Sequence, residues 1–304
     1  MTTVNQGNED IGGNPIQITD KSDDTVISPE NSTLSKIYGD TFTLELDGGD
    51  TDETPTFVSS NPDIATVDEN GNVTIVGVGE VVITVTRPGN GAYKSESQEI
   101  TVTVGKKELS LTAVDILDKY YDGNTDAEID PDSVVINGIV KGDEDKFDEY
   151  LISSASFPDS KAGTYTDASA TFTLTDELAE KYFFKQNDSS QKDSVTLIDD
   201  AIIISKPINT PAEGDNDGYT ISVAPIKDYS WTGKEITPPL VVKDGEKLLV
   251  EGVDYTVVYK NNIAVGTADV IINGLGNYQG TLNTEFKIVP INIDLDGDGK
   301  PDIN

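Results

Sequence analysis

The residues whose types and spacing suit chemistry best stand at the C-terminal end, in Asp294-Leu295-Asp296-Gly297-Asp298-Gly299-Lys300-Pro301-Asp302. Carboxylates recur at every second position in Asp294, Asp296 and Asp298, and Gly299 follows. The backbone carbonyl of Lys300 and the carboxylate of Asp302 complete the opening of a calcium loop. A hard divalent cation takes many oxygen ligands, alternating Asp lets a tight turn aim several carboxylates inward, and glycine permits the sharp bend. The carboxylate usual at the twelfth position would fall one place after Asn304. Ile291-Asn292 recurs as Ile303-Asn304 at a spacing of twelve, so further loops of the same type are expected in a longer parent. Calcium is the one cofactor the sequence suggests. A second feature is Trp231, the only tryptophan. It lies between polar Ser230 and Thr232 and is the best candidate for an exposed ligand-binding ring, against the alternative that it packs in a core.

Other chemistries lack their residues. The chain has no His and no Cys, which removes zinc sites, disulfides, Cys nucleophiles and His bases. Ser59-Ser60 and Ser153-Ser154 have no His to activate them. Asp and Glu number 55 against 21 Lys and Arg, a net charge of −34. Paired carboxylates are therefore common without meaning glycosidase chemistry. Such a surface repels phosphate backbones and anionic headgroups, so nucleic acid and membrane surfaces are not expected partners. No apolar run approaches the ~20 residues that span a bilayer, and no signal peptide follows Met1. A signal or anchor is expected outside this stretch. A Lys–Asn isopeptide staple remains open, with no address in the sequence.

The elements that must position these residues are strands. Phe42, Leu44 and Leu46 alternate with Thr41, Thr43 and Glu45; Ile100-Thr101-Val102-Thr103-Val104 repeats the pattern, as does Val253-Asp254-Tyr255-Thr256-Val257, running on to Tyr259. A period of two marks strands with one face on a core. Turn pairs such as Asn70-Gly71, Asp122-Gly123 and Asp244-Gly245 punctuate them. Helical periodicity is weak: Asp143–Leu151 and Asp176–Phe184 each fit a short helix or turn. The expected organisation is a flexible lead over 1–13, modules over 14–105 and 106–206, a Pro/Gly/Asn/Asp-rich linker over 207–218, a third module over 219–290 and an acidic tail over 291–304. The fold class is all-β: three tandem immunoglobulin-like β-sandwich modules in an elongated arrangement.

Family resemblances follow this division. Tyr38-Gly39-Asp40, Phe57-Val58-Ser59-Ser60-Asn61-Pro62-Asp63-Ile64-Ala65-Thr66-Val67 and Asn70-Gly71-Asn72-Val73-Thr74-Ile75-Val76-Gly77-Val78-Gly79 resemble the bacterial immunoglobulin-like group 2 family and its MBG-type relatives. Gly77 and Gly79 read as relief of a tight strand turn. Tyr121-Asp122-Gly123-Asn124-Thr125, Gly142-Asp143 and Ala162-Gly163-Thr164 resemble the YDG family of bacterial surface repeats. Trp231-Thr232-Gly233-Lys234, Tyr259-Lys260-Asn261-Asn262 and Gly274-Leu275-Gly276-Asn277-Tyr278-Gln279-Gly280 resemble a surface-protein repeat of Firmicutes. The Asp-rich tail resembles the calcium repeats of dockerins and thrombospondin type 3 modules.

These resemblances imply a secreted or cell-wall-associated, Gram-positive multidomain protein whose modules act as stalks or adhesins, and they bring no catalytic residues. The expectation is a monomeric, non-catalytic stalk. The alternative is an adhesin module that binds a glycan or a host surface protein.

Overall fold

The computed structural model describes residues 14–185, 190–209 and 220–291. The lead over 1–13, most of the linker and all five calcium-loop residues (Asp294, Asp296, Asp298, Lys300 and Asp302) lie outside the described residues. The chain is all-β and divides by contacts into two compact units. One comprises Met1–Val114, Pro131–Ser154 and Thr171–Leu197; the other comprises Asp115–Asp130, Ala155–Ala170 and Ile198–Asn304.

The first unit opens with a sandwich of nine strands: β1 (Gln17–Asp20), β2 (Thr25–Ile27), β3 (Thr33–Ile37), β4 (Thr41–Asp47), β5 (Thr56–Ser59), β6 (Ala65–Val67), β7 (Asn72–Ile75), β8 (Gly79–Arg87) and β9 (Glu96–Gly105). One sheet runs β2-β1-β4-β7-β6 and the other β3-β9-β8-β5. The alternation predicted the core face correctly. Phe42, Leu44 and Leu46 are buried from one sheet, Ile100, Val102 and Val104 from the other, and they share a single core. All the pairings are antiparallel except β3 against β9, which run parallel with Ile37 opposite Gly105. Asn70-Gly71 makes the expected hairpin between β6 and β7. Gly77 is explained by space: a Cβ there would sit 2.4 Å from the Asp63 carbonyl oxygen. The buried carboxylate of Asp20 accepts hydrogen bonds from Lys36 Nζ at 2.6 Å and Ser22 Oγ at 2.7 Å, so its burial is compensated.

The middle of the chain forms β10 (Lys107–Leu111), β11 (Lys119–Tyr120), β12 (Asp126–Ala127), β13 (Ile136–Asn137), α1 (Glu144–Tyr150), β14 (Leu151–Ser156), β15 (Gly163–Leu174), α2 (Asp176–Ala179), β16 (Tyr182–Lys185), β17 (Gln191–Lys192) and β18 (Ser194–Ile204). A sheet of order β13-β10-β16-β17 belongs to the first unit; a five-stranded sheet runs β11-β18-β15-β14-β12. One of the two short helices is found near its expected span. The second stops at Ala179, and Tyr182–Lys185 is a strand instead. Its run of three buried aromatic residues suits a central strand, and it lies parallel to β10.

The last part, in the second unit, contains β19 (Lys206–Pro207), β20 (Ile221–Val223), β21 (Tyr229–Ser230), β22 (Val242–Asp244), β23 (Lys247–Leu248), β24 (Tyr255–Lys260), β25 (Gly266–Gly274), β26 (Tyr278–Gln279) and β27 (Thr281–Val289). Its sheets run β21-β27-β25-β24, β20-β22-β23 and β19-β26 over one core that includes Val242, Val270, Ile272 and Phe286. Two sequence expectations are corrected here. Pro207 and Ile208 are not linker: Lys206–Pro207 pairs with β26, and Ile208 is fully buried in that core. The amides of Lys206 and Ile208 donate to Asn277 and Gln279, which leaves proline at the position between them that needs no N–H. Val253 does not begin a strand; it is 62% exposed. Asp254 folds the preceding segment into a turn by accepting the Val250 amide, and the strand starts at Tyr255.

Candidate functional site

A buried polar group among the described residues lies where the chain leaves one sandwich and enters the next sheet. In the first unit, β3 ends beside the last residue of β9, and the Tyr38 amide donates to the Gly105 carbonyl at 2.9 Å. Two residues on, Lys107 opens β10, its amide donating to Lys181 O and its register partner being Tyr182. This places the Tyr38 and Tyr182 rings edge to face, with centroids 5.4 Å apart. Asp143, at the start of α1, closes the group. Its Oδ2 accepts from Tyr38 Oη at 2.7 Å and Tyr182 Oη at 2.6 Å, and its Oδ1 accepts from Lys146 Nζ at 2.9 Å. Tyr182 Oη also accepts the Val140 amide at 3.1 Å. Lys181 Nζ sits 4.9 Å above the Tyr38 ring. Gly39, at a positive φ of 87°, leaves room for Val140, whose Cγ2 lies 2.5 Å from where a Cβ would be.

Electrostatics matches this geometry. Burial alone would raise the Asp143 pKa, but the hydrogen bonds from Tyr182, Lys146 and Tyr38 outweigh it and hold it below the ordinary carboxylate value. Burial first, and then the Asp143 carboxylate, push both tyrosine hydroxyls far above their ordinary range. The carboxylate is ionised and the hydroxyls are protonated at neutral pH. The carboxylate accepts from both tyrosine hydroxyls and from Lys146, which makes the group a structural clasp.

The second unit repeats the plan. The Tyr121 amide donates to Ile204 O at 2.8 Å, and two residues on the Lys206 amide donates to Asn277 O. Lys206 pairs with Tyr278, and the Tyr121 and Tyr278 rings meet edge to face at 5.5 Å. Lys247 Nζ lies 5.2 Å from both ring centres and donates to Tyr121 Oη at 3.2 Å and Tyr278 Oη at 3.3 Å. Asp244 accepts from Tyr278 Oη at 3.2 Å, from Lys206 Nζ at 2.7 Å and from Thr220 Oγ1. Burial holds the Tyr278 hydroxyl protonated up to about 12, with Lys247 pulling against it and Asp244 adding to it. Burial would lower the Lys247 pKa, but its two tyrosine partners leave it raised. The Asn277 side chain adds a further tie by accepting the Ala162 amide at 2.9 Å.

Sequence reasoning marked most of these residues as family motifs and not as mutual partners. Tyr38, Asp143, Tyr121 and Tyr278 all stood in quoted motifs, but nothing local in those motifs pairs them. Trp231 is 43% exposed, and its amide donates to Val289 O at 2.8 Å. Among the described residues no group of three or more Asp or Glu is arranged to hold a metal ion. No helix among them is long and apolar enough to cross a membrane.

Comparison with known proteins bears out the YDG resemblance and the immunoglobulin-like character of the first module, where the matching profile is of the intimin type. The family profile of the intimin immunoglobulin-like domain matches residues 38–89, and that of the YDG domain matches residues 105–192. The first match begins at Tyr38, and the second contains both Tyr121 and Asp143. A crystal structure of an intimin mutant from EHEC O157:H7 is 25% identical, covering 36% of this chain and 52% of that one, with a TM-score of 0.22. The intimin–Tir90 complex is 23% identical over 34% of this chain and 53% of that one, with a TM-score of 0.22. Drosophila N-cadherin EC1-4 is 12% identical over 92% of this chain and 76% of that one, with a TM-score of 0.23. The chain spans about half the length of the two intimin structures it matches. No curated protein matches it in sequence. The chain has the immunoglobulin-like character of bacterial surface proteins.

Proposed function

We propose that this chain is a non-catalytic spacer of a surface-exposed bacterial protein, whose modules follow one another on clasped backbone so that they hold a functional domain away from the cell. The observation that carries the reading is the repeated clasp: Tyr38, Asp143 and Tyr182 in one unit, and Tyr121, Tyr278, Lys247 and Asp244 in the other. A chain that needed only to tether would cross these points on flexible residues. This one crosses each in two residues, with backbone hydrogen bonds on both sides. The family profiles support a surface module of stalk or adhesin type, and they include Tyr38, Asp143, Tyr182 and Tyr121. The finer features belong to the proposal: MBG-type kinship of the first module, a Firmicutes-type third repeat, attachment to a Gram-positive cell wall, and calcium held by Asp294, Asp296, Asp298, the Lys300 carbonyl and Asp302.

The test is surface display. An epitope carried beyond this chain on an anchored protein is expected to be more accessible to an antibody-sized probe than the same epitope on a Gly/Ser linker of equal residue number. Equal accessibility would contradict the spacer. The second reading, an adhesin module that takes a glycan or host protein, rests on the exposure of Trp231. Titration of Trp231 fluorescence with glycans tests it, and a saturable shift would favour it.

A further inference from the structure

At one mouth of the first sandwich, polar side chains stand on the face of β9 that elsewhere fills the core. Ile100, Val102 and Val104 are buried in that core. Side chains alternate along a strand, so the same face continues to Gln98 and Glu96. Gln98 is only 8% exposed. Its Nε2 donates to the Ile27 carbonyl at 3.1 Å, while its Oε1 is buried with no hydrogen-bond partner among the described residues. A buried acceptor left unpaired is costly unless a donor fills the space beside it. That space exists: a groove of about 740 Å³ runs past Gln98, walled by Ile16 and Ile27 from one sheet and by residues 96–99 from the other. Both walls end in open strand edges. β2 is the outermost strand of its sheet and pairs with β1 alone. β9 pairs with β8 from Glu96 to Val104, but β3 covers it only from Thr101 onward. Residues 96–100 therefore have a strand on one side only among the described residues.

We propose that this groove docks an extended, lysine- or arginine-bearing peptide segment of another protein, which pairs with a strand edge there and donates a backbone N–H to Gln98 Oε1. An open edge presents N–H and C=O groups at the strand repeat and is a template for a further strand. Gln98 already imitates such a neighbour, since its amide donates to the Ile27 carbonyl of the edge strand. Residues 96–99 give about 13 Å of edge, room for about four residues of peptide. Ile16, Val26 and Pro29 offer apolar contact, and Val26 is 51% exposed. Among the described residues no aromatic side chain lines the groove, so a sugar would find no ring to stack on. Charge selects the partner. Glu96 and Glu99 line the groove and no described Lys or Arg does, on a chain with a net charge of −34. A second copy would bring the same charge and be repelled, whereas a basic segment is attracted. The proposal goes beyond the spacer reading and does not depend on it, because the groove lies within the first sandwich and away from Tyr38 and Gly105.

The probe is a phage-displayed library of random twelve-residue peptides, selected on the full chain at physiological salt. Enriched sequences are expected to alternate Lys or Arg with β-branched residues, and their synthetic copies to bind saturably by fluorescence anisotropy. Hydrogen exchange with peptide bound should slow at the amides of β2 and of residues 96–99 and stay unchanged in β24 and β25. Methylating alternate peptide nitrogens, in one register or the other, removes the donors that face the edge and should weaken binding at least tenfold. Gln98→Leu removes the acceptor at similar side-chain size and should do the same. Glu96→Lys, at an exposed position, should also weaken binding at least tenfold and covers the case in which Gln98→Leu does not fold. Failure to enrich any peptide overturns the proposal. So does undiminished binding by both N-methylated peptides, since that leaves only attraction of bases to an acidic surface. Protection of β2 that rises with protein concentration in the absence of peptide assigns the edge to a second copy and overturns it. Protection of the same amides by oligosaccharides and not by peptide assigns the groove to a sugar and does likewise.

Discussion

Asp143→Ala is the substitution that most directly challenges the clasp of the first unit. The carboxylate is buried and receives two tyrosine hydroxyls at 2.7 and 2.6 Å. A hydrogen bond to a charged group contributes about 1.5–3 kcal/mol, so the two together hold roughly 3–6 kcal/mol before the cost of burying the charge. The Lys146 side chain is 39% exposed, and its ion pair adds at most about 1 kcal/mol. Part of the loss is recovered in the variant, because Tyr182 Oη keeps the Val140 amide and water can enter beside Lys146. The net expectation is a loss of about 3 kcal/mol, or roughly 6–12 °C of melting temperature for a unit of this size. Asp143→Asn keeps the shape and one acceptor and should lose about half as much. Asp148→Ala, an exposed acid on the same helix, should change little. Calorimetry or circular dichroism reads all three. A fall of under 2 °C for Asp143→Ala, or equal falls for Asp143→Ala and Asp148→Ala, would refute the reasoning.

Gly39→Ala should destabilise the same unit by about 1–3 kcal/mol in urea unfolding, because its φ of 87° disfavours a side chain and the new Cβ would press on Val140; a neutral result would mean that Val140 can withdraw freely. The pH dependence has a definite sign. Asp143 is lowered in the folded state, so its contribution is present above its ordinary value of 3.8 and fades as pH falls through the lowered value. Tyr38 and Tyr182 are raised, so theirs is present below their ordinary value of 10.0 and fades above it. The stability gap between the wild type and Asp143→Ala should therefore be flat through neutral pH and narrow as pH falls through the lowered Asp143 value, while above pH 10 both proteins lose stability together because burial of the tyrosines is common to them; a gap that stays constant from neutral to acid pH would contradict it. Added NaCl should raise the melting temperature by screening a net charge of −34, and a lower or unchanged value across a salt series would count against self-repulsion as the dominant electrostatic effect.

The strands were legible because alternation states which face is buried: Phe42, Leu44 and Leu46 needed nothing beyond their spacing. The hairpin at Asn70-Gly71 and the packing role of Gly77 were equally local. What the sequence hid was long-range. Tyr182–Lys185 fits a helix end until β10 lies beside it, and Pro207 reads as linker until its neighbours bond to β26. Asp254 sits in what looks like an alternating strand, yet its carboxylate closes a turn. The clasps join residues as far apart as Tyr38 and Asp143, and no local pattern pairs them. Trp231 was legible as exposed.

The central claim is that the chain crosses from sandwich to sandwich on fixed and not on hinged backbone. Native-state hydrogen exchange of the Tyr38, Lys107, Tyr121 and Lys206 amides tests it most directly, since each donates to a carbonyl on one side or the other of a crossing point. Protection of about a thousandfold or more, comparable to the strands β8 and β25, is the predicted result and corresponds to opening free energies of about 4 kcal/mol. Exchange of these four amides within about tenfold of an unstructured chain, with the sheet cores still protected, would show hinges where clasps are described and would contradict the account.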